Sequence, residues 1–292
     1  MKGNSSNKKT SELIRLFGLR VLGTGSDPNC AMSIVVRRLR QSVRWKGLAT
    51  PLDRLLRLRN ILEVQTLPDL NFEGVVDPIG TSFDLGFRMV LKAGLSRSRI
   101  RFTTAHELCH TFFYEVVPEL KFCLHEVDQD EERICNLGAA ELLMPSTTLR
   151  KRCKGLSVSL DSLENLAGSY DVSIEAMLLR LRSLKLWHSE LSMWHRMTGG
   201  GFALHRLWGG RRLEWRWPDE SLLKIAWETG RQVAGRTYLE LRDTHGALQL
   251  RPVTYQLSRR GEALVALWSH PSVPLPIARM PLFDEWLRQP HS

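Results

Sequence analysis

The amino-acid sequence predicts an α+β protein, and the order of its apolar patterns says why. Three short strand-like runs precede an apolar helix that carries His-Glu-x-x-His. A second apolar helix follows an acidic stretch, and the last third of the chain returns to strand-like runs around one helix. At 292 residues a single core is near its practical size, so more than one domain is expected.

Residues 1–30 are polar, then weakly amphipathic, then rich in Gly, Ser, Asp and Pro, which reads as a flexible arm. From Val36 to Asn60 the pattern is helical and basic, with Arg37, Arg38, Arg40, Arg44, Lys46, Arg54, Arg57 and Arg59 against Asp53. A solvated helix face is the simpler reading of that run; a grip on nucleic acid or on an acidic protein surface is the alternative. Ile61–Leu67, Gly74–Asp77 and Phe87–Leu91 read as strands, with Pro68-Asp69, Asp77-Pro78 and Gly80 as turn residues.

The motif itself is His106-Glu107-Leu108-Cys109-His110. Residues i and i+4 lie above one another on a helix, so His106 and His110 can both direct a ring nitrogen at one metal ion. Glu107 lies about 100° round the helix, close enough to reach a metal-bound water without being a ligand. That is the place of the general base in a metalloprotease. A small sheet before such a helix is the zincin arrangement, and its edge can hold an extended peptide. The competing reading makes Thr104 an N-cap and Glu107 its capping-box partner. Just after His110 the helix turns strongly apolar at Phe112-Phe113, so two polar histidines sit on a core helix and need partners.

After Pro118 an acidic run, His125 to Glu132, leads into the apolar stretch Leu137 to Pro145. Acids at a helix start are favoured by the helix dipole with or without a metal. Catalytic zinc normally has three protein ligands and one open position, so one of these residues is expected to close the site. His125, Asp128, Asp130, Glu131 and Glu132 all compete, and periodicity does not separate Glu131 from Glu132.

Arg-Phe-Thr-x-Ala-His106-Glu107-x-x-His110, followed by Glu132-x-x-Cys135-Asn136-x-x-Ala139-Ala140-x-Leu-Leu-Met144-Pro145, resembles the ImmA/IrrE metallopeptidases over about residues 48–190. The resemblance implies that Glu132 is the third zinc ligand beside His106 and His110, with Glu107 as the catalytic base. It also implies a substrate, a helix-turn-helix transcriptional repressor whose cleavage releases stress-response or mobile-element genes. Where the family has glycine in His-Glu-Leu-Gly-His, this chain has Cys109. Glycine there would let a strand pass close to the helix, so Cys109 implies slightly wider packing. Tyr114 and His125 are candidates for stabilising the transition-state oxyanion. A regulator that binds its repressor or DNA without cutting is the alternative, although the ligand and base positions are complete.

Beyond Pro145 the chain has the outline of a helix-turn-helix module at 151–197. Asp161-Ser-Leu-Glu164 reads as a capping box, Tyr170 to Ser173 as a turn, and Ile174 to Leu184 as a second helix. That helix opens Ile174-Glu175-Ala176, without the basic or amide side chains a base reader exposes, so burial of Leu163, Leu166, Val172, Met177 and Leu181 explains the pair better than direct DNA reading. Thr198 to Gly201 reads as a linker, and 198–292 as a small α/β domain with the outline of the GAF-like sensory domain of some relatives. In it Phe202–Trp208 and Arg211–Trp217 read as a hairpin across Gly209-Gly210, with Leu213, Trp215 and Trp217 on one face. Ser221–Thr229 is helical, with strands at Thr237–Arg242, Leu248–Leu257 and Ala263–Trp268. The metallopeptidase core is then 31–150.

Composition limits the setting. No apolar run approaches the roughly 20 residues of a membrane span. Arg15 and Arg20 interrupt the first apolar stretch, which argues against a secretory segment. Five cysteines without a Cys-x-x-Cys spacing point to a reducing, cytoplasmic compartment. A net charge of +10 suits an acidic partner or nucleic acid, and equally an arginine-rich genome. Oligomeric state is not legible.

Overall fold

The computed structural model describes residues 3–23, 27–80, 85–121, 129–208, 220–242 and 248–269. It is a mixed α+β protein with two sheets. The chain divides into two compact units, one of residues 1–157 and 161–187, the other of 158–160 and 188–292.

In the first unit, α1 (Gly3–Leu22) is a helix where a flexible arm was expected. Leu13, Ile14 and Phe17 are buried, and the Phe17 ring meets Phe113 at 4.5 Å. Arg20 donates to the carbonyl of Val116 at 2.7 Å. The weak amphipathicity of this stretch is enough once a partner surface exists, because most helical stability comes from tertiary packing of the apolar face. Helix α2 (Pro28–Ser42) opens on Asp27, whose carboxylate accepts from the amides of Asn29 and Cys30, with Pro28 at the first helical position. It buries Ala31, Met32 and Val36 and leaves Arg37 and Arg38 exposed. The short α3 (Leu52–Leu58) follows. Arg59, at its end, donates to Thr111 at 3.0 Å and lies 4.3 Å above the Phe112 ring.

Three strands form the first sheet: β1 (Ile61–Leu67), β2 (Gly74–Pro78) and β3 (Phe87–Lys92), in the order β1-β3-β2. Within β3, Phe87, Met89 and Leu91 alternate as the buried face. β1 runs parallel to β3 and β2 antiparallel to it, so β2 is an edge strand.

Helix α4 (Arg97–Val116) starts earlier than the sequence suggests. Ser96 caps it, accepting from the amide of Arg99 at 3.4 Å. Thr104 is therefore a mid-helix residue, its hydroxyl donating to the carbonyl of Ile100 at 2.8 Å, and the capping-box reading of Glu107 falls. A short α5 (Pro118–Lys121) leads towards α6 (Gln129–Leu143), which packs against both α4 and α2.

The expected wider packing at Cys109 takes a different form. The Cys109 sulfur faces Gly138 of α6, where a Cβ would meet Sγ at 2.7 Å and Met32 Cγ at 2.8 Å. The missing side chain on α6 makes room for the extra one on α4.

Helices α7 (Ser146–Cys153), α8 (Leu160–Tyr170) and α9 (Ile174–Ser183) complete this part of the chain. α8 begins one residue before Asp161, so Asp161 is a first-turn residue and not the cap. Ser173 does cap α9, accepting from Ala176 at 3.2 Å. Leu163, Leu166, Met177 and Leu181 are buried as expected. Arg180 is buried too: its Nε donates to the carbonyl of Met144 at 3.1 Å, and its guanidinium pairs with Glu141.

The second unit holds a five-stranded antiparallel sheet in the order β5-β4-β8-β7-β6. Its strands are β4 (Ser189–Arg196), β5 (Phe202–Trp208), β6 (Val233–Arg242), β7 (Leu248–Arg260) and β8 (Ala263–Ser269), with α10 (Glu220–Thr229) between β5 and β6. The glycine run read as a linker is the loop of the β4–β5 hairpin, closed by Met197 N–H to the carbonyl of Gly201 at 2.8 Å. β5 pairs with β4; the expected second arm, Arg211–Trp217, lies outside the described residues. Trp194, Trp227 and Trp268 are core residues, and the indoles of Trp194 and Trp268 both donate to Ser192 Oγ, at 2.8 and 2.6 Å. Among the described residues no helix is long and apolar enough to cross a membrane. Cys30, Cys109, Cys135 and Cys153 are free thiols.

Candidate metal centre

His106 and His110 lie one turn apart on the buried stretch of α4, and their Nε2 atoms approach to 3.1 Å. Glu132, in the first turn of α6, brings one carboxylate oxygen to 3.1 Å from His106 Nε2 and the other to 3.3 Å from His110 Nε2. The three residues form a group whose ligand atoms all lie within 4.8 Å of one another.

What the other ring nitrogens do decides the chemistry. His106 Nδ1 faces Asn136 Oδ1 at 3.1 Å, and His110 Nδ1 faces Glu131 Oε1 at 2.7 Å. Both partners are acceptors, so each Nδ1 carries a proton, and in the neutral ring each Nε2 presents a lone pair. With both rings neutral, two lone pairs and a carboxylate converge on one point. Such a set is held together by a cation, and two imidazoles with a carboxylate and an open side suit zinc. Glu132 leaves that side open, being 43% exposed against 8% for His110.

The electrostatics agree. Hydrogen bonds from His106 and then His110 hold the Glu132 carboxyl far below the ordinary carboxylate range, against a smaller opposing effect of burial. Burial lowers His110, but Cys135, Glu131 and Glu132 around it raise the imidazole well above its usual value. The pocket thus favours positive charge at the convergence point. Burial pushes the Glu107 carboxyl up, offset in part by His110 and His106. A carboxylate raised in this way is a better proton acceptor than a free one.

Glu107 and both histidines line a cleft of about 690 Å³, which Glu132, Tyr114, Lys121 and β2 also border. β2 comes very close to α4 here. A Cβ on Gly74 would sit 2.6 Å from Thr103 Cγ2 and 3.0 Å from Glu107 Oε1, so only glycine admits this approach.

The sequence candidates separate clearly. His106, His110 and Glu132 come together, and Glu131 stands behind His110. Asp130 is exposed and pairs with Arg133 at 3.4 Å. Tyr114 borders the cleft one turn beyond His110. His125 and Asp128 lie outside the described residues. Asn136, Glu131 as a hydrogen-bond partner, Lys121 and Gly74 are contributions the sequence reading missed. Asn136 was within reach, four residues beyond Glu132 on the same helix face, and a glycine inside a strand is itself a signal of close approach.

Residues 76–182 match the family model Peptidase_M78, described as the IrrE N-terminal-like domain. That match covers 107 of the 292 residues. The M78 match starts inside β2 and ends within α9, so it takes in His106, Glu107, His110 and Glu132. Among solved structures, a Mycobacterium tuberculosis transcriptional regulator is similar at 14% identity and a TM-score of 0.46, covering 90% of this chain and 94% of its own. No curated protein matches the sequence.

Proposed function

We propose that the M78 domain is a zinc-dependent endopeptidase that cuts a helix-turn-helix transcriptional repressor in the cytoplasm, derepressing stress-response or mobile-element genes. The convergence of His106, His110 and Glu132 beside Glu107 in one cleft carries this reading. His106, His110 and Glu132 would hold the zinc. Bound there, the ion supplies Lewis-acid polarisation of the scissile carbonyl and acidification of a water. Glu107 accepts that water's proton at its carboxylate and delivers it to the leaving amine. β2 offers the free side of an edge strand along the cleft, which suits an extended loop of the substrate paired through its main chain. The α8–α9 pair would be a helix-turn-helix-like module, and the C-terminal unit a GAF-like sensor that responds to the activating signal. Burial of Arg180 and the acidic opening of α9 weigh against direct DNA reading by that pair.

The experiment incubates the full chain, wild type and Glu107→Gln, with zinc and the repressor encoded beside its gene, and measures intact mass. Glu107→Gln should bind zinc and fold normally while cleavage falls by about two to four orders of magnitude. One metal-dependent cut made by wild type alone supports the reading. Release of the repressor from DNA by both forms, with no cut in either, replaces it with a regulator that works by binding.

A further inference from the structure

We propose that Glu131, held by Lys121, is a positioning residue: it orients His110 and fixes its tautomer, and so sets the affinity of the site for its metal. The inference rests on the zinc-site reading above. Glu131 is fully buried, and its Oε1 receives two donors, His110 Nδ1 at 2.7 Å and Lys121 Nζ at 2.6 Å. Lys121 is itself 7% exposed, with its ammonium 5.3 Å from the centre of the Tyr114 ring. Among the described residues, Glu131 Oε2 is buried without a hydrogen-bond partner.

Stability alone does not account for this arrangement. A buried ion pair roughly balances its own desolvation, and this one leaves a carboxylate oxygen unsatisfied. Nor is Glu131 serving as a dipole-complementing acid at the start of α6. Asp130, exposed in the same turn, fills that role, whereas Glu131 faces His110. What Glu131 does achieve is chemical. A carboxylate on Nδ1–H makes the opposite nitrogen a stronger ligand than a neutral amide does. The two histidines therefore differ, because His106 rests on Asn136 and His110 on Glu131.

Lys121 explains how a second carboxylate can stand so close. Two neutral imidazoles and Glu132 bring one negative charge to a divalent ion, leaving a net single positive charge. Glu131 alone would cancel that. With Lys121 beside it the Glu131–Lys121 pair is neutral, and the metal keeps its power to polarise a carbonyl.

The test uses the full chain and Zn²⁺ itself, with affinity read by competition against a chromophoric chelator and geometry read from the absorption bands of the Co²⁺-loaded protein. Wild type, Glu131→Gln, Glu131→Gln/Lys121→Met and Glu132→Ala are compared. Glu131→Gln should weaken zinc binding by about 10- to 100-fold and shift the cobalt bands, while Glu132→Ala should bind far more weakly still. The double variant replaces the ion pair by a neutral one. It should show the same loss of affinity even if Glu131→Gln alone folds poorly. Zinc affinity within threefold of wild type and an unmoved cobalt spectrum in both Glu131 variants would overturn the positioning role and leave the zinc site standing. Zinc lost on Glu131→Gln but kept by Glu132→Ala would make Glu131 the ligand itself. A wild-type chain that binds no zinc would overturn the functional reading as well.

Discussion

Replacing Gly138 by alanine tests how the two helices of the metal centre are fitted together. A methyl at 138 would press on Cys109 Sγ at 2.7 Å and Met32 Cγ at 2.8 Å. Overpacking of this kind destabilises by about 1–3 kcal/mol. Alanine in a helix interior is favoured over glycine by about 0.8–1.0 kcal/mol, which leaves a net loss near 1 kcal/mol. Cys109→Ala alone removes a buried methylene-sized sulfur and should lose about 1 kcal/mol or slightly more. Together the changes exchange one bump for one hole. The double variant should lie within about 0.5 kcal/mol of wild type, where simple addition gives a loss of about 2 kcal/mol. Met32 is unbranched and can turn aside, so the sulfur contact dominates. Urea unfolding of each variant, with amide hydrogen exchange along α6 to localise the effect, gives the four corners of the cycle. Losses that add to within about 0.5 kcal/mol would refute the claim that Gly138 and Cys109 are fitted to each other.

The edge strand and the Arg180–Glu141 ion pair give two further expectations. Gly74→Ala pushes a methyl against Thr103 and Glu107 and moves β2 away from α4; zinc affinity should hold while kcat/KM falls by about tenfold or more. Wild-type cleavage by that variant, assayed on the repressor, would remove β2 from the substrate path. Arg180→Ala takes the nearest cation from Glu141, only 5% exposed, and leaves it Ser146, and Arg37 at 3.7 Å; the first unit should lose about 1.5–3 kcal/mol in urea titration. A loss under about 1 kcal/mol would mean that water reaches Glu141 once the arginine is gone.

Strong local periodicity explains what the sequence disclosed. β1, β2 and β3 lie between turn residues, β3 alternates in burial, and their limits in the structure differ from the expectation by one residue at most. The His106–His110 spacing is a property of one helix and needs no tertiary knowledge. Glu131 and Glu132 could not be separated, because the helix start meets His110 at its edge: one acid takes the Nδ1 side of the ring and its neighbour the Nε2 side. Only the fold assigns the two sides. The α1 arm was misread for the opposite reason, since its signal is weak locally and Phe113, which covers Phe17, is 96 residues away. At Thr198–Gly201 a glycine run suggested a boundary, whereas the strand before it, Ser189–Arg196, is buried on most positions and shows little alternation.

Helix α6 carries Glu132 of the candidate metal group, both partners of the histidine Nδ1 atoms, the notch for Cys109 and the acid that anchors Arg180, all within 11 residues from Glu131 to Glu141. A slip of this helix by one residue would rotate every one of them by about 100° and undo them together. A cation bound as proposed would therefore act as a proofreading signal for the register of α6. An ion present at 100 times its dissociation constant adds about 2.7 kcal/mol to the one arrangement able to hold it. On the proposed reading, catalytic competence and correct assembly become one equilibrium, and metal supply would govern how much of the chain is properly built as well as how much is armed.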